Sequence, residues 1–405
     1  MATRRALEGI RVLDLTLVYA GPFCGLLLAD LGAEVIKIER PGGEVGRFLP
    51  PLYKAEVPGP QRQNLSGYFL SFNRNKLGMT LNLKHPRGVE IFKELVKISD
   101  VLLENYAPGV TQRLGIDYAI LQKVNPRIVM VSISGFGQQG PHSQKVSYDI
   151  VAQAMGGLMS LTGYPDGPPT KTGTSLGDCV ASLFAALGVV ASLHNRSITG
   201  RGQYVDVSQQ ESVASILEAA VARYTMGGEV LPRIGSNNPN ASPYGSFKCQ
   251  DGYFIVGVVG EDQWERFCQA LGVEDWRQDP RYRTNVDRLA HVFEIQKDIE
   301  RWAQNFSVEE IIQRLEKHRI PCSRIQNIEE LVRDPHLKSR KFFVEVEHPV
   351  IGKVTLPGTP YKFSETPLAE PRPSPGVGEH NHYILRHFLG KSEEEIERLY
   401  AEGVL

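Results

Sequence analysis

The sequence lacks the features that mark several large classes of protein. Its five cysteines lie far apart and include no Cys-x-x-Cys pair, so neither a zinc site nor a disulfide framework is indicated. The formal net charge is −1, with no basic block or acidic tail, and neither nucleic acid nor a membrane surface is expected as a partner. We see no apolar leader and no apolar run as long as a membrane span. These absences predict a cytoplasmic protein that acts on small molecules.

The local signatures of several catalytic classes are also missing. The sequence contains no GxSxG, HExxH or P-loop pattern. The first strand-to-helix turn has only Ala20-Gly21-Pro22 in place of GxGxxG, which disfavours a dinucleotide site. His380 and His382 form the one close histidine pair among scattered histidines. We therefore expect no metal centre and no resident cofactor.

One stretch combines a carboxylate with a helical pattern. Asp178 directly precedes an apolar run, Cys179 to Leu193, in which large apolar side chains recur at helical spacing and predict a buried helix. A carboxylate at this helix start can cap the free N–H groups of the first turn, and the helix dipole favours its ionised form. An ionised carboxylate can also attack as a nucleophile without a partner base. The residues alone leave both interpretations open.

Short apolar strands alternate with helices in the first part of the chain. Strands at 10–15 and 33–39 flank a helix at 23–31, which is the pattern of a parallel crossover unit. A long helix is predicted from Gln209 to about Met226, and the composition then changes. We predict an α/β fold with a parallel-sheet large domain from 1–228, a smaller α+β domain from 229–325, and a return to the large domain from 326–405.

A series of motifs in this order resembles the family III CoA-transferases, also called the formyl-CoA transferase or carnitine-dehydratase-like family. The motifs are Val12-Leu-Asp-Leu-Thr16 with Ala20-Gly-Pro22, Leu31 to Pro41, Asn73-Arg-Asn-Lys76, Val101 to Gly109, Ser134 to Pro141, Tyr148-Asp149, Gly177-Asp178 and Gly378-Glu-His380. The resemblance covers almost the whole chain. It implies a Rossmann-like large domain made from both chain ends, an inserted small domain and a homodimer of two interlocked subunits.

The same resemblance implies roles for individual residues. Asp178 matches the nucleophile that forms aspartyl-anhydride and aspartyl-CoA thioester intermediates, with an acyl-CoA and a small carboxylic acid as substrates. Tyr19 and Asp149 are expected beside the thioester, and Gly257 and Gly260 represent a shielding glycine flap. The residues expected to contact CoA are Arg40, Arg74, Lys76, Asn105, Tyr106, Arg113 and Lys145.

Two features bear on the reaction. Tyr19 stands where formyl-CoA transferases have Gln, which disfavours oxalate. The C-terminal half and the stretch from Val12 to Pro41 most resemble the glutarate and other dicarboxylate members that use succinyl-CoA. A related α-methylacyl-CoA racemase is an alternative, but racemisation requires two acid/base groups. Relatives of that type carry a His just ahead of the Tyr148-Asp149 equivalent, where this chain has Val146-Ser147. A non-catalytic CoA-binding protein is the third alternative.

Overall fold

The computed structural model describes residues 4–53 and 66–405, which form two compact units. Unit 1 comprises, among these residues, 4–53, 66–158, 172–218 and 336–405, and unit 2 comprises 159–171 and 219–335. The domain boundaries derived from the sequence, with the smaller domain at 229–325, stay a prediction.

A six-stranded sheet forms the frame of unit 1. Its strands are β1 (Arg11–Asp14), β2 (Glu34–Glu39), β3 (Leu77–Thr80), β4 (Val101–Glu104), β5 (Val129–Ser134) and β6 (Tyr204–Ser208). The order is β3-β2-β1-β4-β5-β6, and every neighbouring pair is parallel. Doubly wound sheets have this order, and they bind ligands beyond the carboxyl ends of the strands where the order reverses, here between β1 and β4. The predicted α/β fold with a parallel sheet is confirmed.

Helices cover both faces of this sheet. The helices of unit 1 are α1 (Ala20–Asp30), α2 (Gly67–Asn73), α3 (Pro86–Lys97), α4 (Val110–Leu114), α5 (Tyr118–Val124), α6 (Asp149–Met155), α8 (Leu176–Thr199), α9 (Gln209–Ala214), α17 (Asn381–Leu389) and α18 (Glu393–Ala401), with a short 3-10 helix at Val45–Phe48. The antiparallel pair β10 (Phe343–His348) and β11 (Gly352–Pro357) also belongs to unit 1. Two short helices, α7 (Leu158–Leu161) and α16 (Pro335–Ser339), lie where the chain passes between the units.

The core of unit 1 consists of two apolar layers, one on each face of the sheet. Neighbouring strand residues point to opposite faces, so Val12 packs in the layer under α1 and α8, while Leu13 packs in the layer under α3 and α17. Because both faces are covered, the central strands β4 and β5 are apolar at most positions. This buried frame fixes the loops at the carboxyl ends of the strands.

Unit 2 is built on a small antiparallel sheet with helices. Its strands are β7 (Tyr244–Lys248), β8 (Tyr253–Gly257) and β9 (Cys322–Arg324). Its helices are α10 (Ala220–Gly227), α11 (Glu261–Leu271), α12 (Asn285–Ala290), α13 (Val292–Ala303), α14 (Val308–Lys317) and α15 (Ile328–Arg333), with a 3-10 helix at Glu274–Arg277. Phe254, Phe267 and Ile311 are among the residues of its own apolar core.

The single helix predicted from Gln209 to Met226 is wrong, because the chain leaves the helical conformation after Ala214. Glu218 has a positive φ of 50° before α10 begins. The hydroxyls of Ser212 and Ser215 donate to the backbone oxygens of Ser208 and Ser212. Serine hydroxyls compete in this way for backbone partners and weaken a helix, a signal that apolar spacing does not contain.

The prediction that α8 is a buried helix holds for only one of its faces. Ala181, Ala185 and Val189 are fully buried against the sheet, whereas Leu183, Phe184 and Leu187 are 46%, 41% and 64% exposed. Small side chains let the helix approach the strands closely, and this leaves the large ones on the outer face. At 24 residues α8 is also long and apolar enough to span a membrane, contrary to the expectation that no run reaches that length. Its small-residue face nevertheless packs on β5, β6 and α1.

Candidate active site

The loop after β1 is held in a strained shape at the carboxyl edge of the sheet. Val18 has a φ of 67°, which is unusual for a β-branched residue. The Asn105 amide fixes the preceding residue, since its Oδ1 accepts from Leu17 N at 2.8 Å and its Nδ2 donates to Leu17 O at 2.9 Å. Val18 N donates to Glu44 Oε2 at 3.2 Å. These bonds hold Tyr19 at the start of α1.

Asp178 lies in the first turn of α8, but it does not cap that helix. The cap is the carboxylate of Asp149, whose Oδ1 accepts the N–H of Gly177 at 2.8 Å and that of Asp178 at 3.4 Å. A second bond from Gln153 Nε2 to Asp149 Oδ2, at 2.8 Å, orients this carboxylate. The capping interpretation of Asp178 is therefore wrong, and its side chain is available for chemistry.

A glycine makes this arrangement possible. A Cβ atom at position 177 would lie 3.1 Å from Asp149 Oδ1 and 3.3 Å from Ala152 Cβ. The lack of a side chain at Gly177 lets α6, which carries Asp149, approach the start of α8. The Gly177-Asp178 pair of the sequence motif thus has a direct structural reason.

Gln209, which no sequence motif indicated, donates a hydrogen bond to one oxygen of Asp178. It is the first residue of α9, it is only 7% exposed, and its Nε2 donates to Asp178 Oδ1. Within residues 4–53 and 66–405, no hydrogen bond is made to Asp178 Oδ2. Gln209 directly follows β6, at the same sheet edge as Asn105, and this position could have marked it as a site residue.

The surroundings of Asp178 raise its pKa to about 7. Burial of the carboxyl group is the main cause, the negative charge of Asp149 adds to it, and the hydrogen bond from Gln209 opposes it. The expectation that the first-turn N–H groups and the helix dipole keep Asp178 ionised is therefore wrong, because Asp178 is buried and Asp149 occupies those N–H groups. Asp178 is only partly ionised at neutral pH, and strongly shifted carboxyl groups of this kind are typical of active sites.

Four aromatic side chains lie together next to this carboxyl group. The ring of Tyr19 stacks on Phe72 with centroids 4.3 Å apart, and the rings of Tyr68 and Phe23 lie 5.1 Å and 6.0 Å from Phe72. Burial raises the pKa values of Tyr19 and Tyr68 above the usual range, and the charge of Asp178 contributes to both shifts. Tyr19 thus lies close to Asp178, and its hydroxyl stays protonated. Its expected place beside a thioester stays a prediction.

Two of the expected CoA contacts line one cavity. A cavity of about 250 Å³ opens at the carboxyl ends of β1, β2 and β4, and it is lined by Leu17, Ile38, Glu39, Arg40, Glu44, Val45 and Tyr106. Arg113 in α4 and Lys145 in the loop after β5 are exposed cations outside this lining. This edge of the sheet is where a nucleotide ligand of a doubly wound fold is expected.

Three other expected contacts make hydrogen bonds or ion pairs within unit 1. The ammonium group of Lys76 has three protons, and they go to Asp14 Oδ2, Pro22 O and Asn73 Oδ1 at 2.8–2.9 Å. Arg74 is 3% exposed and forms an ion pair with Asp30. Asn105 positions Leu17, as described above. Lys76 has no donor left for a phosphate in this arrangement, and both Lys76 and Arg74 are buried, so the structure gives them a role in the core of unit 1.

The two flap glycines both belong to unit 2. Gly257 ends β8 and donates its N–H to Pro321 O at 3.0 Å, and Gly260 precedes α11. Their expected role in shielding a thioester stays a prediction.

Comparisons with known proteins agree across nearly the full length. A sequence profile of CoA-transferase family III matches residues 7–381. The chain is 37% identical over 404 residues to the succinyl-CoA:glutarate CoA-transferase of Mus musculus, covering 99% of this chain and 90% of that protein. It is 35% identical over 407 residues to the succinyl-CoA–D-citramalate CoA-transferase of Chloroflexus aurantiacus, covering 99% and 98%. A solved CAIB/BAIF family protein from Brucella suis matches with a TM-score of 0.84 at 31% identity, covering 94% of this chain and 98% of that one.

Proposed function

Because the chain belongs to CoA-transferase family III, we propose that it moves CoA from succinyl-CoA to a small carboxylic acid through covalent intermediates on Asp178. The choice of succinyl-CoA as donor rests on the names of the relatives from Mus musculus and Chloroflexus aurantiacus. The observation that carries the proposal is the relation of Asp149 to Asp178: one carboxylate caps the helix, and the other has an oxygen, Oδ2, to which no described residue donates a hydrogen bond.

The proposed reaction divides one difficult exchange into easier steps. Ionised Asp178 attacks the thioester carbonyl, and the C–S bond breaks to give an acyl-aspartyl anhydride and CoA thiolate. The thiolate attacks the aspartyl carbonyl, which releases the donor acid and leaves an aspartyl-CoA thioester. The acceptor carboxylate then reverses the two steps. The chain needs no cofactor besides the CoA of its substrate in this scheme.

The exposed apolar face of α8 supports the homodimer that the family resemblance implies. Leu183, Phe184, Leu187 and Val190 share this face, and contiguous exposed apolar residues mark interaction surfaces. A second copy of the chain is the proposed cover. Leu187→Glu should convert the dimer to monomer in analytical ultracentrifugation, whereas Asn195→Glu on an exposed polar position of α8 should leave it dimeric. A wild-type monomer, or a dimeric Leu187→Glu variant, argues against this interface.

An acid panel tests the function and identifies the acceptor. Enzyme and succinyl-CoA are incubated with individual mono- and dicarboxylic acids, and formation of new acyl-CoA is followed by chromatography. We expect CoA to be transferred to at least one small acid. We also propose that the protein acts in the cytoplasm. Exchange of the α-hydrogen of a 2-methylacyl-CoA for deuterium, in the absence of CoA transfer, would instead favour the racemase alternative. CoA binding without either reaction would favour the non-catalytic alternative.

A further inference from the structure

The hydrogen bond from Gln209 makes the two oxygens of Asp178 unequal. Oδ1 accepts from Gln209 Nε2, and Oδ2 receives no hydrogen bond from the part of the chain that the structure describes. Gln209 is well fixed, because it is buried at the start of α9 and follows β6 without a loop. The Ser208 hydroxyl accepts from Glu211 N at 3.2 Å and anchors the same turn. The donor is thus already in place before a substrate binds.

We propose that Gln209 is a catalytic residue that leaves Oδ2 as the attacking atom and stabilises the negative charge that develops on Oδ1. This inference rests on the proposed function of Asp178 as the nucleophile. Gln209 is not among the expected site residues, and the proposal gives it the role of an oxyanion donor to Asp178 Oδ1.

The bonds formed and broken define that task. Attack by Oδ2 on the acyl carbon breaks the C–S bond, releases CoA thiolate and leaves Oδ1 as the carbonyl oxygen of the aspartyl half of the anhydride. When the thiolate attacks Cγ, the π electron pair of the Cγ–Oδ1 bond moves onto Oδ1. Collapse of this intermediate restores the carbonyl and breaks the Cγ–Oδ2 bond, so the donor acid leaves as a carboxylate that carries Oδ2. The Gln209 N–H faces the one atom that bears the charge in this step, and no proton transfer is required.

A preorganised donor of this kind acts mainly on the transition state. Removal of one oxyanion donor typically lowers kcat about 100- to 1000-fold. The Gln209 bond also lowers the pKa of Asp178, so its loss has a second effect through ionisation of the nucleophile. Comparison of wild type with a Gln209 variant on the alkaline plateau of their pH profiles, at about pH 9, separates the two effects, because ionisation of the nucleophile no longer limits the rate on a plateau.

Gln209→Met tests the proposal, since methionine has nearly the same shape but no N–H group. Gln210→Met is the matched control, because the neighbouring Gln210 donates to Met155 O at 3.0 Å and makes no bond to Asp178. At about pH 9 we expect kcat of Gln209→Met to fall about 100-fold or more, with KM for acyl-CoA within about threefold of wild type. The control should retain wild-type kcat.

A covalent readout separates this proposal from the proposed function. After incubation with acyl-CoA, the Asp178 peptide of Gln209→Met should acquire its CoA adduct much more slowly than that of wild type. Wild-type kcat at about pH 9 in Gln209→Met overturns the proposed role of Gln209 but does not contradict the proposed role of Asp178 as the nucleophile. Absence of any adduct on wild-type Asp178 overturns both. If Gln209→Met does not fold, Gln209→Glu keeps the shape and lacks the donor when ionised, and wild-type kcat in that variant likewise contradicts the proposal.

Discussion

Asp149 caps the helix that carries Asp178, with Asp149 Oδ1 lying 2.8 Å from Gly177 N and 3.4 Å from Asp178 N. The two carboxylates therefore have different roles, because Asp149 caps the helix and the side chain of Asp178 does not. Asp149 takes the free N–H groups, and Asp178 is placed in a buried, partly unsatisfied environment that raises its pKa to about 7. The chemistry proposed for Asp178 follows from this division.

The reaction should depend on pH through Asp178. Its folded-state pKa of about 7 is raised, so the attacking ionised form is lost as the pH falls below that value. We expect kcat/KM for acyl-CoA to rise with pH, to be half-maximal near neutrality and to level off in the alkaline range. A profile that is flat from weakly acidic to alkaline pH would contradict the pKa assigned to Asp178.

Removing the charge of Asp149 while keeping its helix-capping oxygen should shift the pH dependence of kcat/KM. In Asp149→Asn, the amide oxygen can still accept the two N–H groups, but the negative charge beside Asp178 is gone. We expect the midpoint of kcat/KM to move to lower pH, because one cause of the raised pKa of Asp178 is removed.

Asp149→Ala is the companion variant, since it removes both the charge and the cap. We expect it to lower the free energy of unfolding by about 0.5–2 kcal/mol, the usual effect of losing a helix cap. An unchanged pH profile in Asp149→Asn, with a normal fold, would show that Asp149 does not act on Asp178 electrostatically.

Neutralising Asp178 should stabilise the protein at alkaline pH. A carboxyl group whose folded-state pKa is raised favours folding below its unfolded value near 3.8, and this contribution is lost as the pH rises through about 7. Asp178→Asn avoids that loss, so its free energy of unfolding at about pH 8 should exceed that of wild type by about 1–3 kcal/mol. The difference should shrink toward about pH 4. Urea denaturation at both pH values measures it, and a pH-independent difference would count against the raised pKa.

Substitution of Lys76 should lower the stability of the protein, whereas substitution of Lys145 should weaken the binding of acyl-CoA. Lys76→Met leaves Asp14 with one buried cationic neighbour fewer, and breaking such a buried pair typically costs about 3–5 kcal/mol of stability. Lys145→Ala removes an exposed cation and should raise KM for acyl-CoA with little change in the free energy of unfolding. Thermal unfolding and steady-state kinetics separate the two. A normally stable Lys76→Met with a raised KM would restore the original expectation that Lys76 contacts CoA.

The elements that could be predicted from the sequence are those with a local residue pattern. Alternation of apolar strands and helices predicted the parallel sheet, because burial on both faces gives each strand an apolar run that is visible in the chain. The order of motifs indicated the family and, through it, Asp178. The resemblance placed Asp149 at the site, but its bond to Asp178 N and the bond of Gln209 to Asp178 Oδ1 were not predictable, because the two residues lie 29 and 31 positions away in the chain.

The same limit explains the errors in the sequence-based assignments. Arg74 and Lys76 are cations in a motif next to a strand, and nothing in their spacing distinguishes a ligand contact from a buried ion pair with Asp30 or Asp14. In α8, apolar spacing identified the helix but not which side faces the sheet. That choice depends on the close approach of Ala181 and Ala185 to the strands, a property of packing in three dimensions.

Transfer of oxygen into Asp178 is the most direct test of its role as the nucleophile. The enzyme is turned over with acyl-CoA and an acceptor acid labelled with oxygen-18 in its carboxylate, and the peptide containing Asp178 is analysed by mass spectrometry. Each acceptor anhydride that breaks at its acyl carbon leaves one acceptor oxygen on the enzyme, so the account predicts oxygen-18 in the Asp178 side chain and in no other residue. Turnover that leaves Asp178 unlabelled, or that labels a different side chain, would contradict it.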